Sequence, residues 1–157
     1  LLSPARPEFQ IMGIANHKLG TTIAEAMKTL GRSRALVVHG AGTDEIAVHG
    51  ETLVWELKDG AISHYTVQPA ELGVDTHTLE DLRGGDGEDN AAAMRATFAG
   101  EGPDAHRDAV AVNAGAMFYL YGMVDSLAEG TAHAKQLLAD GSVSQWLTTH
   151  EEADYSG

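Results

Sequence analysis

The sequence predicts an α/β fold in which a mixed, mainly parallel central sheet with one hairpin is covered by helices. Three observations lead to this class. The apolar run from Arg34 to Val38 ends at a glycine-rich turn, which is typical of a buried strand. Two alternating segments on either side of Lys58-Asp59-Gly60 indicate a hairpin. From Glu88 onward the pattern becomes helical, so late helices would cover a sheet formed by the early strands.

The first half of the chain is predicted to alternate helix and strand. Apolar residues at helical spacing, followed by Gly31, predict an amphipathic helix over Leu19 to Leu30. The strand from Arg34 to Val38 comes directly after it. Leu53 to Leu57 alternates in polarity and Ile62 to Val67 follows the turn, so these two segments are the expected arms of the hairpin.

The second half is predicted to form four helices. Their expected ranges are Asn90 to Phe98, Arg107 to Met123, a helix from a capping box at Ser126 and Glu129 to about Gly141, and Val143 to Thr149. No repeat or proline-rich linker divides the chain, so residues 1–150 are interpreted as belonging to one domain. Residues 151–157 have little to bury and are expected to form a mobile tail.

Charge and composition limit the partners. The chain has 23 Asp plus Glu against 10 Lys plus Arg, a formal net charge of −13, and this argues against nucleic acid or an anionic membrane as a partner. Because the acids are spread along the chain, we favour a halophilic protein whose repulsions are screened by salt, and the alternative is an ordinary acidic protein. The absence of cysteine and of any membrane-length apolar stretch favours a cytoplasmic protein.

The candidate functional residues are Asp44 and Glu45. They follow the first predicted strand and a glycine-rich turn, which places them on a loop at the carboxyl end of a strand, where α/β sheets bind ligands. Paired carboxylates suit a hard cation, so the pair is predicted to bind a metal, and the alternative is a solvated turn pair. His39 and His49 flank the acids and are expected to make hydrogen bonds rather than bind zinc. No residue is assigned as catalytic.

Four groups of residues then carry a resemblance to a known family. They are Leu1 to Pro7; Val37 to Gly40 with Asp44-Glu45; Asp81 to Asp86 with Asn90-Ala91; and Arg107 to Val110 with Asn113-Ala114. In this order and spacing they resemble the C-terminal half of the anthranilate phosphoribosyltransferases, members of the nucleoside phosphorylase-like phosphoribosyltransferase family. Ser3 stands where that family usually has Asn, and Ala41-Gly42-Thr43 stands where it usually has Asp-Gly-Leu.

The resemblance implies transfer of a phosphoribosyl group from phosphoribosyl pyrophosphate (PRPP) to the amine of anthranilate, a step of tryptophan biosynthesis. It implies Mg²⁺ as the cofactor, with Asp44 and Glu45 as its ligands. It also implies that residues 1–150 are the C-terminal portion of the enzyme's α/β domain. On this basis the segments that bind substrate lie upstream of Leu1, so the chain alone is expected to be inactive. A homodimer is expected through an upstream helical domain.

Two other functions remain open at the level of the sequence. One is a pyrimidine nucleoside phosphorylase-like enzyme, which should lack an acidic metal pair at this loop. The other is a non-catalytic partner domain that keeps the fold without the chemistry, and it is disfavoured because both acids are present.

Overall fold

The structure, a computed structural model, describes residues 5–151. The start of the N-terminal motif, Leu1 to Pro4, lies outside the described residues, and so does the expected tail except for Glu151. The four strands are β1 (Phe9–Gly13), β2 (Arg34–Gly40), β3 (Thr52–Lys58) and β4 (Ala61–Val67). The five α-helices are α1 (Gly20–Thr29), α2 (Gly87–Phe98), α3 (Asp104–Leu120), α4 (Leu127–Ala139) and α5 (Ser142–Glu151). Single turns of 3-10 helix occur at His17–Leu19 and Pro69–Leu72.

The four strands form one mixed sheet in the order β1-β2-β3-β4. The predicted α/β class and the hairpin, β3 with β4, are confirmed. The expectation of a mainly parallel sheet is wrong for residues 5–151, because only β1 and β2 pair in parallel, whereas β2–β3 and β3–β4 are antiparallel. The physical reason lies in the connections. Helix α1 carries the chain back between β1 and β2, but the loop between β2 and β3 contains no crossover helix.

Strand β2 is buried on both faces, which explains its continuous apolar run. On one face Leu36 and Val38 pack in a cluster with Val112 of α3. On the other face Ala35 and Val37 pack in a second cluster with α1 and β3. The two clusters fix the position of the carboxyl end of β2 and of the loop that follows it.

Turn residues explain where the helices begin and end. Helix α2 begins earlier than expected because the Asp86 side chain accepts hydrogen bonds from the backbone N–H groups of Glu88 and Asp89. Helix α3 ends at Leu120, before the expected Met123, and Gly122 two residues later has a φ of 72°.

No helix within residues 5–151 combines the length and apolar character that crossing a bilayer requires.

Helices α3 and α4 approach each other through glycines. A Cβ atom on Gly115 would overlap the backbone of Gly130 and Thr131, and one on Gly130 would overlap the backbone of Gly115. The two helices therefore touch backbone to backbone, and Leu127 of α4 packs against the same core cluster as α3.

A buried carboxylate joins the sheet to α3 at the end of β2 distant from the acids. Glu56 accepts hydrogen bonds from the hydroxyls of Tyr65, at 2.9 Å, and Tyr119, at 2.7 Å. Arg34, at the start of β2, lies 3.8 Å from the same carboxylate. Burial, reinforced by the Glu56 charge and its hydrogen bonds, raises the pKa of both tyrosines, so they stay neutral donors in the folded protein.

Candidate metal centre

The acidic pair lies on the loop that leaves β2, as expected. A tight turn starts this loop: the Gly40 N–H donates to the Thr43 carbonyl at 3.0 Å, and the Thr43 N–H donates back to the Gly40 carbonyl at 2.8 Å. The Thr43 hydroxyl also donates to the Gly40 carbonyl at 2.7 Å. Ala41 has a φ of 46°, in a region that a residue with a Cβ rarely adopts and that Asp tolerates better than Ala. One of the departures from the family pattern therefore falls on a strained residue.

Two glycines without positive φ let the loop fold over the strand ends. A Cβ atom on Gly13, the last residue of β1, would overlap the carbonyl of Asp44. A Cβ atom on Gly40, the last residue of β2, would overlap the carbonyl of Glu45. The backbone of the acidic pair thus lies directly on the carboxyl ends of the two parallel strands, where ligands of α/β sheets bind.

The chain after the acids is anchored in the interior. Ile46, Ala47 and Val48 are each at most 3% exposed. The side-chain amide of Asn113 in α3 donates to the Ile46 carbonyl and accepts from the Ile46 N–H, both at 3.1 Å. The Thr52 hydroxyl of β3 accepts from the Ala47 N–H at 2.9 Å. The loop is therefore fixed on one side by strand ends and on the other by α3 and β3.

The two carboxylates have no partner in the part of the chain that the structure describes. Asp44 and Glu45 are exposed, and neither side chain forms a hydrogen bond or an ion pair within residues 5–151. An exposed acidic pair on a fixed backbone, with no basic partner among residues 5–151, is suited to holding a cation.

The donor set fits Mg²⁺ better than a metal enclosed by protein ligands. In the part of the chain that the structure describes, no group of three or more His, Cys, Asp or Glu side chains could hold a metal ion. Asp44 and Glu45 supply hard oxygen donors but too few to enclose an ion. Mg²⁺ typically takes one or two carboxylates and completes its octahedron with water and substrate phosphates. The pair as Mg²⁺ ligands stays a prediction.

A cavity of about 330 Å³ opens beside Glu45. Its lining includes Leu82 and Gly84 from the Asp81 to Asp86 segment, Met94 of α2 and Val110 of α3. Hydrogen bonds from a residue just before it fix the start of the Asp81 to Asp86 segment. The hydroxyl and N–H of Thr78 donate to the Asp81 carboxylate and lower its pKa. The motif segments of the second half thus meet the acidic loop around one cavity.

The flanking histidines contact backbone, as expected. His39 Nδ1 lies 2.8 Å from the Ile14 carbonyl, and His49 Nε2 lies 3.4 Å from the Ala41 carbonyl. Sequence reasoning missed two residues that position the site, Gly13 and Asn113. The available signal for Asn113 was its place in the last motif segment, to which no role was given.

The chain belongs to the glycosyl transferase family, whose α/β domain model matches residues 1–144. Among its relatives is the anthranilate phosphoribosyltransferase of Corynebacterium glutamicum, which is 69% identical over 99% of this chain. The match covers 45% of that protein, so the chain spans less than half the length of this relative. The resemblance to the anthranilate phosphoribosyltransferases is confirmed.

Solved structures show the same fold. The anthranilate phosphoribosyltransferase of Thermus thermophilus superimposes with a TM-score of 0.78 at 42% identity, covering 87% of this chain and 40% of that one. The enzyme of Saccharomyces cerevisiae, solved in complex with PRPP and Mg, has a TM-score of 0.74 at 20% identity, with the same two coverages. At that identity the yeast structure supports the fold alone.

Proposed function

We propose that this chain is the part of an anthranilate phosphoribosyltransferase that holds the metal, in an enzyme that transfers the phosphoribosyl group of PRPP to anthranilate in tryptophan biosynthesis. The observation that supports this most directly is the exposed pair Asp44 and Glu45, which has no side-chain partner in the described part of the chain and lies on the carboxyl ends of β1 and β2. The 69% identity to the C. glutamicum enzyme supports the same activity. Mg²⁺ is the proposed cofactor, because the pair supplies hard oxygen donors and leaves room for water and substrate phosphates.

The chemistry explains why an acidic pair is useful here. The C1–O bond to pyrophosphate breaks while positive charge develops on the ribose ring and negative charge on the leaving group. Mg²⁺ held beside the diphosphate would supply stabilisation of that negative charge. Asp44 and Glu45 would hold the ion through oxygen ligands and water, on a backbone that Gly13 and Gly40 keep close to the strand ends. The amine of anthranilate, a neutral nucleophile at pH 7, forms the new C1–N bond and then releases one proton to solvent, so no side chain of this chain is assigned as a general base and correct positioning supplies much of the acceleration.

The remaining parts of the proposal concern the whole enzyme. Substrate-binding segments are proposed to lie outside this chain, so residues 1–157 alone would be inactive. A homodimer would form through a helical domain outside the chain, in the cytoplasm. The net charge of −13 supports neither nucleic acid nor an anionic membrane as a partner. The acidic pair is the feature that speaks against a pyrimidine nucleoside phosphorylase and against a non-catalytic partner domain.

An assay of the full-length enzyme tests the function. With PRPP, anthranilate and Mg²⁺ we expect phosphoribosyl anthranilate to form, followed by the loss of anthranilate fluorescence. Uridine or thymidine with inorganic phosphate should give no free base, and residues 1–157 alone should give neither reaction. Release of base from a nucleoside would favour the phosphorylase. The absence of product in both assays would favour the non-catalytic domain.

A halophilic origin, which we also propose, predicts a salt effect on stability. The thermal midpoint of the full-length protein should rise as KCl increases from dilute buffer to molar concentration. The reason is that counterions screen repulsion among acidic residues, which number 23 against 10 basic ones in residues 1–157. Thermal melts over this range measure it, and sorbitol at equal osmolality controls for general solute effects. A midpoint that stays flat or falls with KCl would remove the halophilic interpretation.

A further inference from the structure

Asn113 connects α3 to the residue that directly follows the acidic pair. Its Oδ1 accepts from the Ile46 N–H at 3.1 Å, and its Nδ2 donates to the Ile46 carbonyl at the same distance. Nδ2 also donates to the Ala109 carbonyl, one helical turn earlier, at 3.0 Å. Both polar groups of the amide are therefore used, and two of its three bonds go to a residue 67 positions away in the chain.

The geometry requires an amide of this length. Ile46 is 2% exposed, so its N–H and carbonyl have no access to water and need partners from the protein. A carboxamide offers a donor and an acceptor in one plane, as a neighbouring strand would. An aspartate has no donor for the two carbonyls, and a glutamine is one methylene too long for the same position.

The position of Ile46 determines what this contact controls. Glu45 precedes it directly, and the Glu45 carbonyl already rests on Gly40. Fixing the next peptide leaves the backbone of Glu45 little freedom to turn. The Cα atoms of both acids then keep a constant position relative to the carboxyl end of β2, and the side chains start from a fixed backbone.

We propose that Asn113 is a positioning residue that holds the Asp44–Glu45 loop in its metal-binding geometry. This inference rests on the proposed function, since it assumes that the acids bind Mg²⁺. Asn113 acts through the backbone of Ile46 and need not touch the ion. Its removal should therefore weaken metal binding while both ligands are still present.

The test uses Asn113→Ala in the full-length enzyme. The Mg²⁺ concentration for half-maximal rate should rise on the order of tenfold, the usual effect of losing a residue that orients a ligand. The rate at saturating Mg²⁺ should largely recover, because the ligands are intact. Asn113→Asp keeps the volume and one acceptor but loses the donor, and it should show the same rise. Mn²⁺ binding in the presence of PRPP, followed by electron paramagnetic resonance, should weaken in parallel.

A matched control separates positioning from general stability. Thr131→Val removes a buried hydroxyl from α4 that, among residues 5–151, bonds within its own helix alone, to the Leu127 carbonyl at 3.0 Å. It should lower the thermal midpoint without changing the Mg²⁺ requirement. Amide exchange at Ile46 should speed up in Asn113→Ala and stay slow in the control.

The outcomes distinguish the two proposals. A raised Mg²⁺ requirement in Asn113→Ala and in Asp44→Ala supports both. If Asp44→Ala raises the requirement but neither Asn113 variant does, the positioning role is wrong and the metal site stands. If none of the three variants changes the Mg²⁺ dependence or Mn²⁺ binding, the metal site fails, and the positioning role fails with it.

Discussion

Replacing Asp44 or Glu45 by Ala in the full-length enzyme is expected to lower kcat/KM at limiting Mg²⁺ on the order of 100-fold, because the proposed Mg²⁺ would bind more weakly and the charge developing on the diphosphate would lose its stabilisation. The fold should be unaffected, because both side chains are exposed and make no hydrogen bond or ion pair within residues 5–151. Excess Mg²⁺ should restore part of the rate in each single variant, because each substitution should lower the affinity for Mg²⁺. Formation of phosphoribosyl anthranilate, titrated with Mg²⁺, is the measurement.

A double variant, with Ala at both Asp44 and Glu45, tests whether the two carboxylates bind the same ion. It should lose less than the sum of the two single losses in free energy, because both carboxylates serve the same ion. Glu25→Ala, which removes an exposed acid from α1, controls for the change in net charge. If both single variants keep wild-type rates and an unchanged Mg²⁺ dependence, the acidic pair is only a solvated turn.

Gly13→Ala should damage both the fold and the site. The added Cβ would overlap the Asp44 carbonyl, so the loop must move away from the end of β1. Overpacking of this kind costs about 1–3 kcal/mol. The displaced loop should also raise the Mg²⁺ requirement, although the substituted residue is not a ligand. Urea unfolding gives the first effect and Mg²⁺ titration of the rate gives the second.

Gly87→Ala is the matched control for this substitution. A Cβ there meets no atom within 4 Å, and Gly87 begins a helix, where Ala is favoured. Stability should be unchanged or slightly higher, with no effect on Mg²⁺. Wild-type stability and an unchanged Mg²⁺ requirement in Gly13→Ala would show that the loop does not rest on β1 in solution.

Local signals predicted most of the fold. The helix expected over Leu19 to Leu30 is α1, Gly20–Thr29, because its apolar spacing and its glycine stop are both contained in the segment. The hairpin was predicted for the same reason. Strand β1, Phe9–Gly13, was missed, since it has only five residues, all half-buried, and its strand geometry depends on pairing with β2. Strand direction depended on the β2–β3 connection, which carries no periodic signal.

The residues of the site also fall into those that local signals predicted and those that they did not. A strand followed by glycines and two acids placed Asp44 and Glu45 on a loop, and the structure agrees. The contacts that fix this loop come from residues distant in sequence, Gly13 in β1 and Asn113 in α3. A glycine at a strand end and an amide on a mostly apolar helix carry no local sign of what they will touch, so only the folded chain shows their roles.

The Asn113–Ile46 contact also has a kinetic consequence. Strands β2, β3 and β4 follow one another in the chain and pair as neighbours, so they can form early with little loss of chain entropy. The bond from Ile46 to Asn113 closes 67 residues and needs α3 to be docked. We therefore expect the sheet to form before the acidic loop takes its final shape. Loss of Asn113 should then speed unfolding and leave the folding rate nearly unchanged.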